Sequence, residues 1–249
     1  MDLTDRVALV TGGSGGLGEA TTKALAETGA NVCVTYLGNK KAADSACNIV
    51  KALGRRAAKV HLDQTDPASV ESAVASTIEQ LGQIDILINN AATNIPIPFP
   101  DLDALTPEIW DQLFNSNLRG PFLMARAAAP HLRDSKVGRI VNVGAMIGLT
   151  PMGSSIAQAV SKAGVIHLTR CLAVALAPDV TVNCVAPGLM EGTQMSGRLP
   201  QAAVDTLRER AILKRNTSIQ DVADQIVGFC RSESVTGQVL VIDGGIHFH

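Results

Sequence analysis

Arg6-Val-Ala-Leu-Val-Thr-Gly-Gly-Ser-Gly-Gly-Leu-Gly-Glu-Ala-Thr-Thr-Lys-Ala-Leu-Ala-Glu27 is the stretch from which the rest of the chain is read. An apolar, β-branched run from Val7 to Val10 passes into glycines at 12, 13, 15, 16 and 18, and then into a segment with Ala20, Ala24 and Leu25 on one helical face. The order is strand, tight turn, helix. Without Cβ atoms, Gly12 and Gly16 let the backbone approach a pyrophosphate, while the first-turn N–H groups of the helix present the positive end of its dipole. Gly18 lets that helix pack close to the strand. Gly12, Ser14, Gly16, Leu17 and Gly18 are therefore candidate phosphate-binding positions. A glycine-rich surface loop is the plain alternative, and the placement between a clean strand and a clean helix favours the nucleotide site.

A length of 249 residues suits one α/β domain spanning 1–249 with a full core. The apolar fraction of 46% and charged fraction of 18% describe a globular chain, and a net charge of −2 offers no basic footprint for nucleic acid. Cys33, Cys47, Cys171, Cys184 and Cys230 are scattered and lack metal-ligand spacing, as reduced thiols of a cytoplasmic protein would be. No run is read as a membrane span, and Asp2, Asp5 and Arg6 interrupt any apolar leader. The expectation is a soluble intracellular protein without metal.

Asn31-Val-Cys-Val-Thr-Tyr36 reads as a second strand, ending at Leu37-Gly38-Asn39-Lys40-Lys41. Sites that prefer NAD put an acid near this point to hold the ribose 2′-hydroxyl, and none is present. Tyr36, Asn39 and Lys40 suit a 2′-phosphate instead; equally, Lys40 and Lys41 can simply open a solvated helix. The reading leans to NADP, with NAD as the alternative. Residues 42–53 form a helix, 57–62 a third strand followed by Asp63, 68–81 a helix, and 84–88 a fourth strand leading into Asn89-Asn90-Ala91-Ala92. Alternating strands and helices imply a doubly wound parallel sheet of Rossmann type, with ligand at the carboxyl ends of its strands. The proline-rich 93–105 is a loop over the site mouth. Helix resumes over 107–118, with Asn117 in its last turns, and continues from 120 to about 132. Strands at 139–143, 180–185 and 238–242, with a helix over 160–175, complete the pattern. The long mixed segment 188–216, with Met190, Met195, Leu199 and Leu207, is either a mobile substrate lid or a set of amphipathic surface helices.

Thr11-Gly-Gly-Ser-Gly-Gly-Leu-Gly18, Asp63, Asn89-Asn-Ala-Ala92, Asn117, Ser161-Lys-Ala163, Asn183, Pro187-Gly188 and Asp243-Gly-Gly245 stand in the order and spacing of the short-chain dehydrogenase/reductase family. The chain resembles its 3-oxoacyl-carrier-protein-reductase-like group over essentially its whole length. The resemblance implies a seven-stranded parallel sheet in a single domain, and dinucleotide contacts from the glycine turn, Asp63, Asn90, Ala91, Lys162, Pro187 and Gly188. It also implies a homotetramer or homodimer built on the helices around 107–132 and 160–175, and reduction of a small-molecule carbonyl by a Ser, Tyr, Lys and Asn quartet. In that family the tyrosine lies one helical turn before the lysine, which lowers the phenol's pKa from its ordinary value of about 10.

At that place this sequence departs from the family. Four before Lys162 stands Gln158, thirteen before that Ala145, and the single tyrosine is Tyr36. An amide releases no proton at a useful pH. Of the quartet positions (Ala145, Gln158, Lys162, Asn117), Lys162 either still holds the nicotinamide ribose or is a surface lysine on an amphipathic helix, and Asn117 either anchors water or satisfies backbone where its helix is interrupted. Ser154 and Ser155 read as N-cap candidates before hydroxyl catalysts, His167 as a packed or interface histidine, and Glu191 as a solvated charge. Ile95, Pro96, Pro98, Met146, Met152 and Met190 are candidate pocket walls, or equally core. Three functions fit: a reductase of an activated C=N or C=C/C=O small molecule in specialised metabolism; a non-redox cyclase or isomerase retaining its cofactor; and a dinucleotide-binding pseudoenzyme or inactivated reductase.

Overall fold

Seven parallel strands form one sheet in the order β3-β2-β1-β4-β5-β6-β7. In this computed structural model, which describes residues 1–193 and 196–248, the strands are β1 (Val7–Val10), β2 (Asn31–Tyr36), β3 (Ala57–His61), β4 (Ile86–Asn89), β5 (Gly138–Val143), β6 (Val180–Pro187) and β7 (Val239–Ile242). Both faces of the central strands are buried, which is why β1 reads as an unbroken apolar run. Ala8 and Val10 of β1 enter one half of the core, and Val7 and Leu9 the other. The first half is covered by α1 (Leu17–Glu27), α2 (Lys40–Ala52) and α8 (Ile219–Arg231). The second is covered by α3 (Pro67–Leu81), α5 (Gly120–Asp134) and the end of α6 (Ile156–Leu176). The doubly wound single domain expected from the alternation is the observed fold.

Strand order reverses at β1, whose Val10 pairs with Val34 on one side and Ile88 on the other. Chain leaving the carboxyl ends of β1 and β4 there opens the crevice in which such folds bind ligand. Entry of α1 into this crevice depends on Gly18. A Cβ at that position would stand 2.1 Å from the Gly12 carbonyl oxygen and 2.8 Å from Asn90 Nδ2.

Four features differ from the sequence reading. No element was expected between 217 and 237, yet α8 occupies 219–231, capped by Ser218 and apolar at Val222, Ile226, Val227 and Cys230. The helix expected from 160 begins at Ile156, because Ser155 caps it. Between α4 (Pro107–Phe114) and α5 the helix is not interrupted but widened into a π turn, Asn115–Arg119. Finally, α6 is by length and composition apolar enough to cross a membrane, with a mean hydropathy of 1.4 over its best window. Within this fold half of that window is buried, and α6 packs chiefly against β6 and the turn at Met146–Gly148. The segment 188–216 contains α7 (Gln201–Arg210), tied down where Glu191 accepts hydrogen bonds from Arg208 and Asn216. Met195, read from the sequence as part of this segment, lies outside the described residues.

Gly18→Ala should destabilise the protein by about 2 kcal/mol, since backbone must move to admit one carbon. Gly15→Ala, whose added carbon meets nothing within 4 Å, should leave stability within about 0.5 kcal/mol of wild type. Urea unfolding followed by the fluorescence of Trp110 measures both.

Candidate functional site

The glycine turn is a strained loop held from below. Gly12 and Gly16 have φ of +59° and +45°, where side chains are rarely accommodated. Thr11 Oγ1 donates to the Ile88 carbonyl and accepts from the backbone N–H groups of Asn90 and Ala91. Asn90 Nδ2 in turn donates to the carbonyls of Thr11 and Gly12, at 2.9 and 3.1 Å. Asn90, a candidate ligand residue, thus uses its amide nitrogen to lock β4 to the turn. Leu17 belongs to the core, leaving only its backbone at the turn, while Ser14 is half-buried there.

Helices α2, α3, α4, α6 and α8 all have a side-chain cap, from Asn39, Asp66, Thr106, Ser155 and Ser218. The N-terminus of α1 has none, and exposed Gly15 and Gly16 precede it. Uncapped N–H donors beneath an open glycine turn fit the pyrophosphate of a dinucleotide.

At the other end of the crevice Tyr36 meets His61 edge to face, 5.7 Å between centroids. Asn39 caps α2 by accepting from the Ala42 N–H at its side-chain oxygen, which leaves its Nδ2 as the donor for the expected phosphate contact. Lys40 and Lys41 are exposed on the first turn. Asp63 Oδ1 accepts from both the hydroxyl and the N–H of Thr65, which hold its carboxyl below the usual range.

Asn117 lies on the π turn, a distortion that re-aims side chains where it occurs. Its Oδ1 accepts from the Thr93 N–H at 2.8 Å, and its Nδ2 donates to the Thr93 carbonyl at 2.9 Å and to Gln158 Oε1 at 2.8 Å. The backbone it satisfies belongs to the loop at Thr93 and not to its own helix. Gln158 is held in turn by its N–H on the Ser155 hydroxyl, the cap anticipated for that serine. Ser154 donates to Asn94 and is no cap. Lys162 is buried one turn beyond Gln158, and its Nζ donates to the Val143 carbonyl at 2.8 Å. Ala145 precedes a 3₁₀ turn, Met146–Gly148, packed so tightly on α6 that a Cβ at Gly148 would lie 2.7 Å from Ala163 N.

Other candidates have structural roles. Gly188 is a packing requirement, since a Cβ there would lie 2.8 Å from Thr217 Oγ1; Pro187 ends β6 in the core. Met146 is buried, Met190 packs on the core, and Pro96 and Pro98 are exposed. His167 is exposed beside an apolar groove, and Glu191 pairs with Arg208. The sequence reading missed Gln64, whose Nε2 donates to the carbonyls of Ala91 and Ser116 and so braces the π turn. It also missed Thr93 and His61. Polar residues beside Asp63 and Asn90 were the available signal for Gln64 and Thr93, but nothing local pairs Thr93 with Asn117.

Burial pushes the Lys162 ammonium down to about 8 from its ordinary 10.5. Between those values the unfolded chain holds a proton the folded chain has released, so stability rises with pH across that window and is lowest below it. Lys162→Met should be more stable than wild type at pH 7. The difference should fall by on the order of 3 kcal/mol as pH is raised to 10.5, read from paired urea midpoints.

Residues 12–247 match the family model described as enoyl-(acyl carrier protein) reductase. A protein of Streptomyces violaceoruber named for a ketoacyl reductase of the granaticin polyketide synthase is 39% identical over 244 residues, covering 97% of this chain and 96% of that one. The 3-oxoacyl-(acyl-carrier-protein) reductase of Thermotoga maritima is 35% identical over 249 residues and 99% of both chains. A short chain dehydrogenase from Burkholderia cenocepacia, solved in complex with NADP, superposes with a TM-score of 0.91 at 36% identity and 99% coverage of each chain. The chain belongs to the short-chain dehydrogenase/reductase family.

Proposed function

We propose that the chain is an NADP(H)-dependent reductase with a non-standard active site, taking an electrophilic C=N or conjugated C=C/C=O small molecule in specialised metabolism. One observation carries the reading: the pocket has no phenol. The single tyrosine stands at the end of β2 against His61, and the position one turn before Lys162 holds Gln158, whose oxygen is taken by Asn117. Ala145 supplies no hydroxyl at the place where the family has its serine. Such a site orients an acceptor that is already electrophilic and leaves the proton to water. Losing general acid catalysis typically slows an ordinary ketone by about 10²–10⁴-fold.

When bound, the reduced dinucleotide supplies hydride. The glycine turn and the uncapped α1 would hold its pyrophosphate, Asp63 the adenosine half, and Lys162, at the carboxyl end of β5, the nicotinamide ribose. NADP is favoured over NAD by the absence of an acid at the end of β2, by Lys40 and Lys41, and by the NADP complex of the Burkholderia relative. An apolar groove of about 520 Å³ between the π turn and α6, lined by Phe114, Leu118, Phe122 and Leu168, supports self-association as a tetramer or dimer. Five free cysteines, four of them buried, support the cytoplasm as its location.

Titration of the protein with NADPH and NADH, followed by nicotinamide fluorescence, should give tighter binding of NADPH by about tenfold. Addition of imines or enones, and not of simple ketones, should then oxidise the bound cofactor; binding without oxidation by any acceptor overturns the redox reading. The double variant Ala145→Ser, Gln158→Tyr should raise turnover of a ketone panel by about 10²-fold or more. No gain with NADPH binding intact would mean that the pocket has been rebuilt for another shape.

A further inference from the structure

Every second residue from Pro96 to Pro100 is a proline, and a proline brings no N–H. The strap over 94–100 is therefore short of donors with which to fasten itself. Among the described residues its one backbone bond to another segment is from the Ile97 N–H to the Ser154 carbonyl, at 2.8 Å. Ser154 also holds the strap by its side chain, the hydroxyl donating to Asn94 Oδ1 at 2.5 Å. One residue thus supplies both anchors. Ile97 is buried between two exposed prolines, so the strap is seated at that point. Just before the strap, Thr93 is pinned by Asn117, which also donates to Gln158; just after Ser154, Ser155 accepts from the Gln158 N–H. Strap and latch both lead to Gln158, which the reductase reading puts at the reacting end of the site.

We infer that Ser154 is a positioning residue that sets acceptor size: it fastens the proline strap to the start of α6 as a fixed wall, so that the site takes compact acceptors and turns away long alkyl chains. The inference rests on the reductase reading above and narrows its substrate class by size. Contacts of 2.5 and 2.8 Å leave no passage between the strap and Ser154. A methylene chain needs about 4 Å to each wall it passes, so it can enter there only when both bonds break. Alternating prolines make the strap a semi-rigid spacer, which moves as a piece and does not part locally around a guest. Ser154 also adjoins the α6 cap, so the wall is fixed relative to Gln158 and not only to its own loop.

Hydrogen exchange of the Ile97 amide in the full chain reads the latch without reference to activity. Ser154→Ala and Asn94→Ala should each speed that exchange by about tenfold, the double variant by no more than either single one, and Ser154→Thr, which keeps the hydroxyl, should exchange as wild type does. Acceptor size is read with NADPH bound, from the change in nicotinamide fluorescence on adding cyclohexanone or decan-2-one, two ketones that need not be turned over. Both alanine variants should shift the ratio of the two affinities toward decan-2-one by about tenfold, and Ser154→Thr should keep the wild-type ratio. Unaltered exchange in the alanine variants overturns the latch. Faster exchange with an unaltered affinity ratio overturns the role in selecting acceptors and leaves the reductase reading standing. A shifted ratio in a protein that oxidises NADPH with no acceptor upholds the size assignment and overturns only the redox reading, whereas failure of wild type to bind NADPH overturns both.

Discussion

Everything at the ligand-binding end of the sheet hangs on the latch between Thr11 and Asn90. Two strands that the chain visits 79 residues apart are joined where the strand order reverses, and that latch supplies hydroxyl, amide and main-chain partners in both directions. It holds a turn that contains two left-handed glycines, Gly12 and Gly16. The same close approach leaves Gly18 no room for a side chain and brings the bare N-terminus of α1 to the crevice. The uncapped start of α1, beside the exposed Gly15 and Gly16, is the physical basis for reading the turn as a pyrophosphate cradle.

A second constraint runs from main chain to chemistry. The π turn presents Asn117 to the loop at Thr93, and Gln64 takes the Ser116 carbonyl on the far side of the same turn. Asn117 is thereby spent on backbone and on the side-chain oxygen of Gln158, which accepts from it. Lys162, which in the family assists a phenol, is buried against the Val143 carbonyl with no phenol in reach. On the proposed reading, the site keeps Lys162 and Asn117 of the family's quartet and has no phenol beside them.

Kinship and chemistry carry different weight here. Residues 12–247 match a family model, and relatives at 35–39% identity span nearly the full length, so ancestry and fold follow directly. Those relatives bear the names of ketoacyl and oxoacyl reductases. Positions 145 and 158 are where this chain departs from the family's pattern, and the substrate class proposed for it rests on that departure.

The strand–turn–helix opening, the alternation that makes a doubly wound sheet, and the absence of a pocket tyrosine were all legible in the sequence. The first two are local patterns of residue period and glycine placement, and the last is an inventory in which only one tyrosine exists. Helix α8 was legible too, from its Ser218 cap and the spacing of Val222, Ile226 and Cys230, though the sequence reading passed over it. Only the tertiary structure decided that Asn90 is a latch, that Lys162 is buried against β5, and that the Gln158 side-chain oxygen is taken by Asn117. Each of these depends on the distance and direction of a partner, in the longest cases 41 and 79 residues away. An amide side chain has the same local signature whether it binds ligand, braces backbone or does both, so its role is set by what the fold brings against it.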